Sequence, residues 1–166
     1  MAMVTETQLL ITSKGEDVVV EADLRTLSLQ VYVGKNMTGG EVHEGHRTDD
    51  VRLNRPRGIA STQNRSKVFI GVVNAESILA LNVSNDWVTL AYHTGVGNRY
   101  LAMLPGDEGL LISITGGVVH LSFNDSSVTY VIEPGTLVNG NVSTSMRNLV
   151  IVDDRFCVAA GNDIDR

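Results

Sequence analysis

The chain has 166 residues, 43% of them hydrophobic, and nineteen acidic against thirteen basic side chains give a formal net charge of −6. Such a composition belongs to a folded chain, here one all-β domain over residues 1–166, and its acidic balance argues against nucleic acid or membrane as partner. A single cysteine, Cys157, excludes an internal disulfide, and no stretch reads as a membrane span or a signal peptide.

In chain order the pattern is one of strands. Gln8 to Thr12 is a short apolar run, and Lys14-Gly15-Glu16-Asp17 is a turn. Val18-Val19-Val20 follows; then Leu27, Leu29, Val31 and Val33 alternate with polar neighbours up to Gly34. That period of two is the signal of a half-buried strand. Residues 35–57 are the only long irregular stretch, rich in Gly and charge. Their end, Arg52-Leu53-Asn54-Arg55-Pro56-Arg57-Gly58-Ile59-Ala60, is predicted to be a turn feeding a strand, with Asn54, Pro56 and Gly58 as its structural residues. Pro56 has a fixed φ and no N–H, which suits a strand entrance. Gly58 is expected to hold a backbone angle that a side chain would forbid, or a close backbone approach. No sustained i, i+3, i+4 spacing occurs, so no helix is predicted.

The strands repeat. Leu9-Leu10-Ile11, Val68-Phe69-Ile70, Leu110-Leu111-Ile112 and Leu149-Val150-Ile151 each open a unit, and each unit resumes at Val18, Ile78, Val118 or Cys157. Alternating strands follow at Leu27 to Val33, Val88 to Thr94 and Val128 to Pro134, each ending at the same offset in glycine: Gly34, Gly95 and Gly135. A fourth short strand bridges each of three units to the next, at Ile59-Ala60-Ser61, Tyr100 to Leu104 and Asn141 to Ser145. The units are about 8–61, 67–104, 109–145 and 148–166. Four strands per roughly forty residues is the signature of a propeller blade, which needs neighbours to cover its two faces.

The stretch Leu53-Asn54-Arg55-Pro56-Arg57-Gly58-Ile59-Ala60, followed by Val68-Phe69-Ile70 and Ser77-Ile78-Leu79-Ala80-Leu81, resembles an NHL-type propeller repeat over residues 52–95. Asn74 stands where such repeats often carry aspartate, and Asp153 could hold that place in the last unit. The resemblance implies about three and a half blades, fewer than a closed ring of the family uses. It also implies a scaffold that binds protein, RNA or glycan through one ring face; a minority of the family are enzymes, lactonases and a lyase, working in the central channel. A jelly roll or β-sandwich is the alternative, with Pro105 to Gly109 and Gly135 to Val138 as a cupin-like hairpin pair that lacks the histidines of metal-binding cupins. That fold would suit a structural subunit of a larger particle, such as a virion capsid, decoration or cage protein.

Residues able to carry chemistry are few. His43-Glu44-Gly45-His46 with Asp49 and Asp50 gathers imidazoles and carboxylates, and His43, His46 and Asp49 are the metal candidates. The charged setting and the glycine between the two histidines favour a solvated loop, so no metal or other cofactor is expected. His120 is expected to be packed and His93 to lie at the surface. No serine sits in a nucleophile elbow, and Cys157 between Phe156 and Val158 reads as a small buried hydrophobe. Gly95-Val96-Gly97 and Gly116-Gly117 lead into strands and are turns, not phosphate cradles. Asp153, Asp154, Asp163 and Asp165 read as surface turns. Five Asn-x-Ser/Thr sequons, at Asn36, Asn64, Asn82, Asn124 and Asn141, hint at secretion but are also what β-turns select. The expectation is a non-enzymatic binding and assembly module acting through loops and open strand edges. Its partner would be a copy of itself or another protein chain, because no proline or lysine guards the strands from Asn148 to Ala160.

Overall fold

The computed structural model describes residues 1–34, 42–47, 50–95, 97, 100–135, 137–138, 141–142, 146–152 and 155–160, with side chains through residue 135. The backbone is built from antiparallel sheets in which consecutive strands are neighbours. Sheet 1 holds β1 (Ala2–Met3), β2 (Gln8–Ser13), β3 (Val18–Asp23) and β4 (Ser28–Val33). Sheet 2 holds β5 (Gly45–His46), β6 (Pro56–Ser61), β7 (Lys67–Val72), β8 (Ser77–Asn82) and β9 (Trp87–His93), with β5 added outside β9. Sheet 3 holds β10 (Tyr100–Met103), β11 (Gly109–Ile114), β12 (Gly117–Ser122) and β13 (Val128–Ile132). Two hairpins follow, β14 (Leu137–Val138) with β15 (Asn141–Val142), and β16 (Met146–Val152) with β17 (Arg155–Ala160). Pro105–Asp107 forms one 3-10 turn, and no α-helix occurs among the described residues.

The sheets stack in sequence order. β6 lies against β2 and β1, β10 against β6 and β7, and β16 against β10 and β11. Stacking explains the sequence of the middle sheet. Along β7, Val68 and Ile70 point into the core shared with sheet 1, while Phe69 points into the core shared with sheet 3. A strand covered on both faces needs an unbroken apolar run, and each large side chain so buried contributes about 1.5–3 kcal/mol. The jelly-roll alternative is overturned: its two facing sheets would exchange strands through long crossings, whereas each of sheets 1 to 3 here is a local meander, sheet 2 gaining only β5 at its outer edge.

The sequence units and the sheets are out of phase by one strand. Ile59 to Ser61, read as the close of unit 8–61, pair with Val68 to Ile70 and open sheet 2; Tyr100 to Met103 likewise open sheet 3. The five residues between β6 and β7 make a tight local connection, whereas the preceding chain runs from Gly34 to Arg55 before β6 begins. Short connections decide which neighbour a strand pairs with. The terminal glycines also differ in offset. Val33, Tyr92 and Ile132 occupy one register position, so Gly34 follows it directly while Gly95 and Gly135 come three residues after it. All three do adopt positive φ, at 93°, 64° and 85°.

Each outer strand carries a bulge at one shared place, Tyr32 in β4, Ala91 in β9 and Val131 in β13. An extra residue there increases local twist and lets the outer strands splay.

The turn before β6 is where the first two sheets are tied. Gly58 does not hold a positive φ; the left-handed residue is Arg55, at φ 58°. Its N–H donates to Asp17 Oδ1 at 2.7 Å, and its carbonyl accepts from Val73 N–H at 3.3 Å. Asn74 donates from Nδ2 to Asn54 Oδ1 at 2.8 Å, which ties the β7–β8 turn to this one. Thr12 Oγ1 donates to the Arg57 carbonyl at 2.8 Å. What Gly58 provides is space, as a Cβ there would stand 2.8 Å from Leu101 Cγ and 3.0 Å from the Leu101 nitrogen.

At the opposite end of sheet 3, hydrogen bonds from the Ser127 hydroxyl and N–H and from the Ser122 hydroxyl hold the Asp125 carboxylate at a pKa of about 2, below its ordinary 3.8. A depressed folded-state pKa adds stability above the unfolded value, and that stability is lost as pH falls from about 4 to about 2. Asp125→Asn keeps an acceptor for the turn but removes the titration. Urea midpoints at pH 5 and pH 2.5 should therefore lie closer together in the variant than in the wild type. Equal acid losses would show that the turn does not depend on the charge.

Candidate functional site

The histidine-rich loop is braced by main-chain N–H groups, its own and one of β9. His43 and Glu44 are exposed, and the Glu44 carboxylate accepts the N–H of Leu90 on the outer edge of β9. Asp50 Oδ2 accepts the His46 N–H at 3.1 Å, and the Asp50 N–H returns to the His46 carbonyl at 3.1 Å. Both carboxylates are thus committed to main-chain donors. Among the described residues no three His, Cys, Asp or Glu side chains are grouped to hold an ion, and Asp49 lies outside the described residues.

The other candidates separate in the same way. His93 is exposed, as expected, and its Nδ1 lies 3.2 Å from the Ser77 hydroxyl. That hydroxyl donates to the Ala75 carbonyl at 2.6 Å, so its proton is turned away from the imidazole and the pair is not arranged as a nucleophile with its base. His120 is half-buried; its Nε2 is fully enclosed beside Gly109 and has no hydrogen-bond partner. Asn64 and Asn82 both use Oδ1 to accept the N–H and hydroxyl of the serine two residues on, so these two sequons double as Asx turns. Asn36 lies outside the described residues, as do Asp153, Asp154, Asp163 and Asp165, and the side chains of Asn141 and Cys157 are likewise not described.

A residue that carried no signal in the sequence, Arg47, closes the junction between sheets 1 and 2. Its guanidinium sits 4.0 Å over the Tyr32 ring, Nε donates to Asp86 Oδ1 at 2.7 Å, and Nη1 donates to the Tyr32 carbonyl at 2.9 Å. Burial raises the Tyr32 pKa, with the Arg47 charge opposing that rise. Val51 and Leu53 from the same connection are fully buried in the core of this junction. Among the described residues, the junction between sheets 2 and 3 has no such plug. There Ala80 and Ala91 stand in the register places of Glu21 and Tyr32, and a cleft of about 450 Å³ remains over Phe69, Tyr92 and Phe123. Phe69 and Phe123 stack at 5.0 Å between centroids, and Lys67 and Asp107 stand on the rim.

The larger surface is the side of sheet 1 turned away from sheet 2. Register places Leu9, Ala22 and Leu29 in one row and Ile11, Val20 and Val31 in the next. Their counterparts in sheet 2 are Val68, Leu81 and Val88, then Ile70, Leu79 and Leu90. Val68, Ile70, Leu79, Leu81 and Val88 are all at 0% exposure under sheet 1, whereas Ile11 is 37% and Leu29 70% exposed. Val31 is different in kind, because Leu90 and Tyr130 at its place are as exposed as it is. Leu9, Val20 and Ala22 are half-buried, so sheet 1 carries, only partly covered, the apolar pattern that the next sheets bury.

No family model and no curated protein matches this chain. Solved structures do. A structural-genomics protein of unknown function from Bacteroides thetaiotaomicron aligns over 95% of this chain and 37% of its own, at 12% identity and a TM-score of 0.63. The nidogen/laminin complex aligns over 78% and 45%, at 14% identity and 0.60. Streptogramin B lyase aligns over 89% and 42%, at 11% identity and 0.57. The chain thus spans less than half the length of each of these solved proteins. At such identities the likeness is one of fold: sheets 1 to 3 are a section of a β-propeller.

Proposed function

We propose that this chain is a non-enzymatic binding and assembly module of NHL-like type, a propeller section that joins protein through the free face of its first sheet. The observation that carries the reading is the face holding Ile11 and Leu29, both exposed, whose counterparts Ile70 and Val88 are fully buried one sheet on. A flat apolar sheet face is matched by another sheet laid across it at about 10 Å. Open strand edges, the route expected from sequence, are the weaker one, since β5 and the Glu44 carboxylate already occupy part of the outer edge of sheet 2. The fold is silent on chemistry, because its neighbours include both a lyase and a nidogen/laminin complex. Against an enzyme stand the commitment of Glu44 and Asp50 to backbone donors and of the Ser77 proton to a carbonyl.

The test is a charge placed on the face. Wild type should either associate or bind the dye ANS, and the double variant Ile11→Lys, Leu29→Lys should lose whichever is seen. Compared as monomers, at a concentration where wild type is dissociated, the two should agree in urea stability within about 0.5 kcal/mol, as for other exposed positions. A wild-type protein that neither associates nor binds dye would sink the reading.

A further inference from the structure

The cleft between sheets 2 and 3 lies where a plug sits one junction earlier. There Arg47 rests on Tyr32 and pairs with Asp86, and Glu21 is buried beside them. At the next junction all three protein partners are small: Ala80 stands for Glu21, Ala91 for Tyr32 and Ser126 for Asp86. Asp86 and Ser126 are both left-handed turn residues, two places before the equivalent Val88 and Val128. No described residue takes the place of the arginine. Arg47 comes from the long connection before β6, whereas β9 and β10 are joined by residues 94–99 alone. Gly97 of that short connection lies beside Val73, at the end of sheet 2 away from Lys67. Protein interiors are close-packed, so a gap of about 450 Å³ floored by three aromatic rings is room for a ligand.

The rim carries one charge of each sign, and both are held at one short turn, residues 62–66 between β6 and β7. Asp107 Oδ1 accepts the Gln63 N–H at 2.7 Å, and the Lys67 N–H donates to Thr62 Oγ1 at 3.1 Å. Neither side chain forms an ion pair with any described residue. Lys67 is exposed and Asp107 half-buried, so both remain open to a bound molecule.

We infer that this cleft binds a free aromatic α-amino acid, its ring on Phe69, Tyr92 and Phe123, its carboxylate on Lys67 and its ammonium on Asp107. A ring suits the apolar floor, and an ammonium and a carboxylate on one carbon match two opposite charges held at one turn. A lone anion would meet Asp107, and a lone cation Lys67. The site is independent of the free face of sheet 1, because it lies on the other side of sheet 2.

Calorimetry with L-phenylalanine should show one site per chain, with a Kd of about 1 mM or lower. L-Alanine, which has no ring, should not bind. N-Acetylphenylalanine and phenylalanine methyl ester, each lacking one charge, should bind at least about tenfold more weakly. Ala91→Tyr gives this junction the ring that Tyr32 supplies at the other and should abolish binding; Ala91 is exposed, so the variant should melt like wild type. Lys67→Gln and Asp107→Asn should each weaken binding about tenfold, the asparagine keeping an acceptor for the Gln63 N–H. The double variant Ile11→Lys, Leu29→Lys should bind L-phenylalanine as wild type does, which separates this site from the docking face. No heat with L-phenylalanine at about 10 mM, binding that survives Ala91→Tyr, or binding lost in the double variant overturns the cleft as the site. Equal affinity for the acetylated or esterified compound, or no effect of Lys67→Gln and Asp107→Asn, overturns the amino acid as its ligand.

Discussion

Gly58→Val should lower the stability of this protein by about 3 kcal/mol, the upper part of the range for forcing atoms into a packed site. The cause is position rather than backbone angle. A Cβ at Gly58 would meet Leu101 Cγ at 2.8 Å, the Leu101 nitrogen at 3.0 Å and the Tyr100 carbonyl carbon at 3.1 Å. The leucine tip could turn aside, but the two backbone atoms belong to β10 and can yield only if sheet 3 moves away from sheet 2. That movement would loosen the core containing Phe69, Leu110 and Ile112. Arg57→Ala is the matched control. Its carbonyl keeps the Thr12 bond, and the change should stay within about 0.5 kcal/mol. Equal urea midpoints for the two variants would show that β6 and β10 are not in close contact at Gly58.

Leu53→Ala should be the other severe change, costing about 2–4 kcal/mol as a large-to-small substitution in a closed core. Leu53 is fully buried with Val51, Leu10, Val33, Ile70 and Leu79, and its side chain lies over Gly34. The glycine leaves no side chain to fill the space that the leucine vacates. Leu27→Ala removes the same atoms from a side chain that is 84% exposed and should change stability by no more than about 0.5 kcal/mol. Thermal or urea melts of the pair measure the difference directly. A Leu53→Ala midpoint close to that of Leu27→Ala would mean that the connection between sheets 1 and 2 is not part of the core.

What the amino-acid sequence determined by itself was the strand content and the repeat. Alternation is a local property, so Leu29 to Val33 and Val128 to Ile132 declare strands without reference to any partner, although Leu27, read with the first, is a left-handed turn residue. The unbroken runs Val68 to Ile70 and Leu110 to Ile112 likewise declare strands buried on both faces. Pro56 at the start of β6 was legible for the same local reason. The metal candidates were legible only as residue types: their spacing says nothing of whether Glu44 and Asp50 are already bound to backbone N–H groups. Only the tertiary structure decided which sheet Ile59 to Ser61 join, because pairing depends on which strand the chain brings alongside. It also turned part of an irregular, charged stretch into core and plug. Leu53 is buried and Arg47 is held between Tyr32 and Asp86, contacts made across 15 and 39 residues of chain that no local pattern records. Exposure was decided there too: Ile11 and Ile70 share one register position and one residue type, and they differ only in whether a sheet lies over them.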